Sequence, residues 1–155
     1  MLAETLRFTA ATFCGGMIGS FLLLQLMRPL LMHWLDHDQR LWIHRRYYRL
    51  SIVLGLLGGV CAILGGVREA GFLLSVLAIS HVFANMHLLK AIESNYQEAV
   101  FSSGDAGRAG QHAGARRALG WLRTAQDGLH LLQLLTTLYI LSLLFGISLA
   151  DLMMQ

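Results

Sequence analysis

The densest group of side chains able to bind a metal ion is His33, Asp36, His37 and Asp38, with His44 further on. His33 and His37 are one helical turn apart, a spacing that lets two imidazoles share one ion, and Asp36 is the third candidate ligand. The same residue types are ordinary in a solvated segment beside a membrane, and no further ligand falls at a defined spacing. Three other histidines, His81, His87 and His130, sit in strongly apolar surroundings. A bis-histidine haem b site needs two imidazoles at similar depth on facing helices. Counted from the charged flanks, His130 is level with His87, while His81 lies nearer the middle of its apolar run. A site bridging His87 and His130 is therefore geometrically possible, although nothing in the spacing singles it out, and His81 is a separate candidate axial ligand.

A polar stripe accompanies His130. Gln126, His130, Gln133 and Thr137 fall within roughly 60° of one another on a helix turning about 100° per residue. Gln25 and Asn85 lie at comparable depth in other apolar runs. Polar groups at membrane depth face the bundle or a cavity and bond to one another. Interhelical hydrogen bonding that fixes register accounts for the stripe, and a proton or substrate path is the sharper alternative. Cys14 and Cys61 read as small apolar packing residues. The chain has no Ser-His-Asp grouping, P-loop, GxGxxG or HExxH motif, so nothing argues for a nucleophile and a non-catalytic role is expected.

The elements that must position these residues are plain. Residues 8–27, 50–67, 70–89 and 128–150 contain no Asp, Glu, Lys or Arg and run for 20, 18, 20 and 23 residues. A bilayer core is about 30 Å thick and a helix rises about 1.5 Å per residue, so each run can cross. Only a helix satisfies its own backbone in lipid without closing into a barrel. With 155 residues, 55% hydrophobic and 14% charged, the chain reads as one all-α domain: a polytopic integral membrane protein built as a four-transmembrane-helix bundle.

The net charge of +3 does not point to nucleic acid, because its distribution is topological. Ten of the 12 basic residues fall in connections 28–49 and 90–127, leaving only Arg7 and Arg68 on the other side. That asymmetry places both connections in the cytoplasm and both termini outside, periplasmic for a bacterial inner membrane. Trp34, Trp42 and Trp121 fall in the same two connections, as expected of rings at headgroup depth. The first run is longer than a signal-peptide core and no small-residue cleavage site follows it, so it is expected to remain as a span.

Gly65, Gly66 and Gly71 mark a short turn that makes spans two and three an antiparallel hairpin. The third helix is expected to continue to about Phe101. Gly104, Gly107, Gly110 and Gly114 then suggest a flexible segment, with helix resuming near Ala115 as a short amphipathic lead-in at the interface. Small residues form ridges at four-residue spacing: Ala11, Gly15 and Gly19 in span one, and Ser51, Gly55 and Gly59 in span two. Lipid supplies no hydrophobic drive between helices, so such ridges allow the close approach that packs them. They suit packing of span one on span two, or docking of a helix from another protein.

The order of residues 14–21, residues 42–50, Ala84-Asn85 and residues 128–135 resembles a family of small four-span membrane proteins of unknown function related to eukaryotic transmembrane protein 205. The resemblance implies a four-span fold and names no activity. A more distant similarity to four-span copper-transport and haem-biosynthesis proteins keeps a histidine-based site in view. The expected function is an accessory or scaffold subunit that packs against a larger membrane complex or a second copy of itself. The alternatives are a haem- or metal-handling protein using the intramembrane histidines, and a small transporter, which four spans form only as an oligomer.

Overall fold

The computed structural model describes residues 1–101 and 109–146. Those residues form an all-α bundle of four rods, each long and apolar enough to cross a membrane. The rods are α1 (Leu2–Trp34), α2 (His37–Leu64), α3 (Arg68–Phe83) continued by a π-helical turn (Ala84–Leu88) into α4 (Leu89–Phe101), and α5 (Ala109–Phe145). Leu23, Leu26, Leu56, Ile79, Leu132 and Leu135 are exposed, so the outer faces are apolar where a water-soluble bundle would be polar. A surface of that kind belongs against hydrocarbon.

The helices outrun their apolar cores. α1 passes through Pro29, which removes the hydrogen bond that would end on the Gln25 carbonyl, and continues to Trp34. Only Leu35 and Asp36 then separate it from α2, whose start is capped at Asp36 with its N–H donating to Gln39 Oε1 at 3.1 Å. The expected interfacial segment 28–49 is thus almost entirely helix. α5 likewise begins at Ala109, so Gly110 and Gly114 are helical and the lead-in is continuous with the fourth span. Alanine at 109, 113, 115 and 118 favours helix there, and α5 packs along α4, burying Ala115. The rest of the expected flexible segment, residues 102–108, and the end of the fourth span, 147–150, lie outside the described residues.

The α2–α3 hairpin closes as its glycines suggest. Gly66 takes φ +84°, a left-handed conformation that side chains disfavour, and the Gly65 and Val67 N–H groups donate back to Cys61 and Ala62. Arg7 Nε donates to the Gly65 carbonyl at 2.8 Å, tying the start of α1 to this turn.

The glycine ridges divide differently from the expectation. Gly55 and Gly59 lie against α3, where added Cβ atoms would come within 3.3 Å of Ala78 Cβ and of the Gly71 carbonyl oxygen. Gly58 beside them faces α1, with Phe13 Cβ at the same 3.3 Å. Gly15 and Gly19 have nothing within 4 Å of their Cβ positions. The ridge on α2 therefore packs on α3, and the one on α1 is open beyond Ala11. A methyl on Gly71 would run into Ile63 and come within 2.9 Å of the Gly59 carbonyl oxygen. Gly71→Ala should cost about 1–3 kcal/mol through forced separation of α2 and α3, whereas Gly15→Ala should be nearly neutral. Unfolding in detergent measures both, and equal stability of the two variants would refute this account of the hairpin.

Candidate functional site

Four residues on one face of α2, namely His44, Tyr47, Tyr48 and Ser51, follow one another at helical spacing and turn into the bundle. α5 brings Gln126, His130, Gln133 and Thr137 to meet them, and α3 brings Ser80 and His81. Tyr48, Ser51, His81, Gln126, His130, Gln133 and Thr137 are all buried, a large polar content for a bundle this small.

Tyr48 is the hub. Its hydroxyl lies 2.8 Å from His130 Nε2 and accepts from Gln126 Nε2 at 3.3 Å. With Gln126 donating, the phenol proton is free to go to His130 Nε2. That assignment puts the imidazole proton of His130 on Nδ1, which has no acceptor among the described residues. The ring of Tyr48 lies between the two buried histidines, with centroids 5.6 Å from His130 and 5.9 Å from His81. Tyr47 does the same at 5.6 and 6.0 Å. His130 and His81 thus pack against the same pair of phenols, and His87 does not join them: it is exposed beside Phe83. Six positions put His87 about 120° from His81 around a regular helix, and it stays off the His81 face with the extra residue of the π-helical turn as well.

Inward of Tyr47, His81 Nδ1 bonds the Leu77 carbonyl at 2.7 Å, which leaves Nε2 as an acceptor without a donor. Gln133 Nε2 donates to Ser80 Oγ at 2.9 Å, and its Oε1 is also unpartnered. Both residues line a cavity of about 10 Å³ with Tyr47 and Thr137. That is the size of one water, whose two O–H groups match the two acceptors. Beyond it the polar column stops against an apolar cluster that includes Ala10, Cys14, Met17, Leu74, Ile140 and Leu144. Thr137 bonds within its own helix, to the Gln133 carbonyl.

In the other direction the column opens. A cleft of about 70 Å³ between all four rods is lined by Gln25 and Arg28 of α1, His37, Arg40 and His44 of α2, Leu89 and Ile92 of α4, and Arg123, Gln126, Asp127 and His130 of α5. Arg28 grips Asp127 with two hydrogen bonds of 2.9 and 3.0 Å, and Arg45 pairs with Glu93 at 2.7 Å. Half-exposed pairs of this kind add little stability, but the planar fork orients the groups it joins.

The residues singled out as metal ligands are not assembled. No group of three His, Cys, Asp or Glu that could hold an ion occurs among the described residues. His33 and Asp36 are exposed, and His37 stacks on Tyr96 with ring centroids 3.5 Å apart. Of the two histidines considered as a haem pair, His130 is buried and His87 is exposed, so they are not brought to one buried site. Asn85 is half-buried with Oδ1 unpartnered, and Gln25 reaches the cleft. By type and position in the sequence Tyr47 and Tyr48 suit headgroup depth, and His44 falls beside the metal candidates. The signal that could have joined them is the spacing of His44, Tyr47, Tyr48 and Ser51.

No protein-family model, curated protein or solved structure matches the chain, so the resemblance drawn from its motifs gains and loses nothing there.

Removing one phenol oxygen tests the hub. Tyr48→Phe strands His130 Nε2 and Gln126 Nε2 together and should cost about 1–3 kcal/mol. Tyr139→Phe removes only an exposed 3.2 Å bond to Glu69 and should be close to neutral. Chemical denaturation in detergent separates the two, and a neutral Tyr48→Phe would remove Tyr48 from its central place.

Proposed function

We propose that the protein is a non-catalytic integral membrane protein that binds a small polar solute in the cleft above Tyr48. The observation that carries this reading is the buried His130: it lines the cleft, is 2% exposed, and holds a ring nitrogen with no hydrogen-bond partner among the described residues. A buried polar atom left unpaired at membrane depth is costly unless a ligand or water meets it. The column's end against apolar side chains favours binding over conduction through the bundle. The surplus of basic residues at the cleft end favours a cytoplasmic opening in a bacterial inner membrane, with both termini periplasmic.

Accessibility tests side and occupancy together. In a protein with Cys14 and Cys61 replaced by Ala, Gln25→Cys should react with a membrane-impermeant maleimide from the cytoplasmic face. Small polar solutes that occupy the cleft should slow that reaction. Labelling only from the opposite face, or a rate that no solute alters, would refute the reading.

A second reading, an accessory or scaffold subunit, is favoured by the open ridge at Gly15 and Gly19. Inside the bundle Gly55, Gly58, Gly59 and Gly71 serve close helix approach, whereas Gly15 and Gly19 are exposed, where small residues let another helix come near. Gly15→Leu with Gly19→Leu should leave the isolated protein folded while removing a co-purifying membrane protein or a second copy of this chain. Unchanged co-purification would count against the scaffold role.

A further inference from the structure

A groove of about 290 Å³ lies between α1 and α2 and shares no lining residue with the cleft. Residues 20–27 of α1 and 43–50 of α2 wall it, each helix contributing side chains at the i, i+3, i+4 and i+7 positions of one face. Seven residues of helix rise about 10 Å, so the groove follows the two rods for about that length. Its walls are almost wholly apolar, and Leu23, Met27 and Leu50 remain exposed along it.

Arg46 is the one charged residue of the groove, and its head group is held at the mouth. The guanidinium carbon lies 5.0 Å from the centre of the Trp42 ring, one turn nearer the start of α2. The aliphatic stem thus lies along the groove wall while the charge reaches outward, the posture that long basic side chains take at a membrane surface. Trp42 is exposed beside it, as suits an indole at headgroup depth. Stacking on an aromatic face leaves the in-plane N–H groups of a guanidinium free to donate. Neighbouring arginines are engaged differently: Arg45 pairs with Glu93 and Arg28 with Asp127. No described carboxylate pairs with Arg46, and Asp38, the only acidic residue of α2, is two turns away along the helix.

We propose that this groove binds one anionic phospholipid, with an acyl chain laid along the α1–α2 crease and the phosphate on Arg46. An apolar furrow that starts at a guanidinium and runs inward along two spans matches a molecule with a charged head and a hydrocarbon tail. The single positive charge selects the anionic class, because a zwitterionic lipid already carries a cation beside its phosphate. A helix from a second copy or another protein is the competing occupant. Being 10–12 Å across with its side chains, a helix bridges such a crease and does not fill it.

The test is fluorescence quenching in bilayers. With Trp34 and Trp121 replaced by Phe, Trp42 is the sole indole and stands at the groove mouth. The full chain is reconstituted at constant, low ionic strength into mixtures of phosphatidylglycerol and phosphatidylcholine in which one lipid or the other carries bromine on its acyl chains near the head group. Brominated phosphatidylglycerol should quench Trp42 at an about fivefold lower mole fraction than brominated phosphatidylcholine, the size expected of one basic residue at a lipid surface. Arg46→Gln should bring the two lipids to equal quenching. Arg117→Gln, which removes a charge from an exposed position on α5, should leave the preference in place. Comparing the two lipids within each variant cancels any direct effect of Arg46 on the indole, and both substitutions alter exposed side chains, which the fold tolerates. Equal quenching by the two lipids before substitution, a preference that survives Arg46→Gln, or one lost equally in Arg117→Gln would overturn the proposal. Protection of Trp42 from both brominated lipids would put a protein helix in the groove and overturn it as well.

Discussion

A polar group at membrane depth has no water to fall back on, and the arrangement of this bundle follows from that constraint at Tyr48. One phenol oxygen meets both Gln126 and His130, so the contact between α2 and α5 is a hydrogen-bonded one where the two helices could otherwise rotate freely against each other. The rings of Tyr47 and Tyr48 then supply the surface on which His81 packs, which brings α3 to the same place. Hydrogen bonds between spans are individually worth only about 0.6 kcal/mol on average, so their value lies in selecting one register among several packings of similar apolar content.

Packing and polarity are divided between the two ends of the molecule. At the end that holds the α2–α3 turn, glycines at 55, 59 and 71 bring backbones together and the core is apolar. Toward the other end tyrosine and histidine enter the interior beside a second buried cluster, and a cleft lined partly by arginine forms there. The tight hairpin therefore has a consequence for the site: it anchors one end of α2 against α3, while ion pairs from Arg28 to Asp127 and from Arg45 to Glu93 span the open end.

A π-helical turn joins α3 to α4. His81 on one side of it is in the core and His87, six positions later, is turned outward, a separation that six residues of regular helix would also give. π-turns of this kind commonly accompany functional positions, because the extra residue relaxes the regular backbone bonding that an ordinary helix enforces.

Much of this was determined by the chain alone. Four long runs without a charged residue can only be helices across a bilayer, because the cost of an unsatisfied backbone in lipid leaves no other open structure. The inward stripe of Gln126, His130, Gln133 and Thr137 was legible for a related reason: polar side chains at one helical phase in an apolar run have nowhere to go but the interior. Which groups they meet was not legible. Partners such as Tyr48 with His130 are separated by 82 positions, and a count of depth from charged flanks carries no sign of the outward rotation of His87. The continuity of α1 through Pro29 and of α5 through Gly110 and Gly114 was likewise decided by neighbours, since helix-breaking propensities of about 1–3 kcal/mol are outweighed when the adjoining turns pack. The glycine ridges show the same division: their four-residue spacing announced close approach, and only the assembled bundle decided that Gly55 and Gly59 meet α3 while Gly15 and Gly19 remain open. Local pattern carries the period of an element and the side on which it must be buried. Tertiary structure alone sets rotation and depth relative to other helices, because both depend on shape matching between surfaces far apart in the chain.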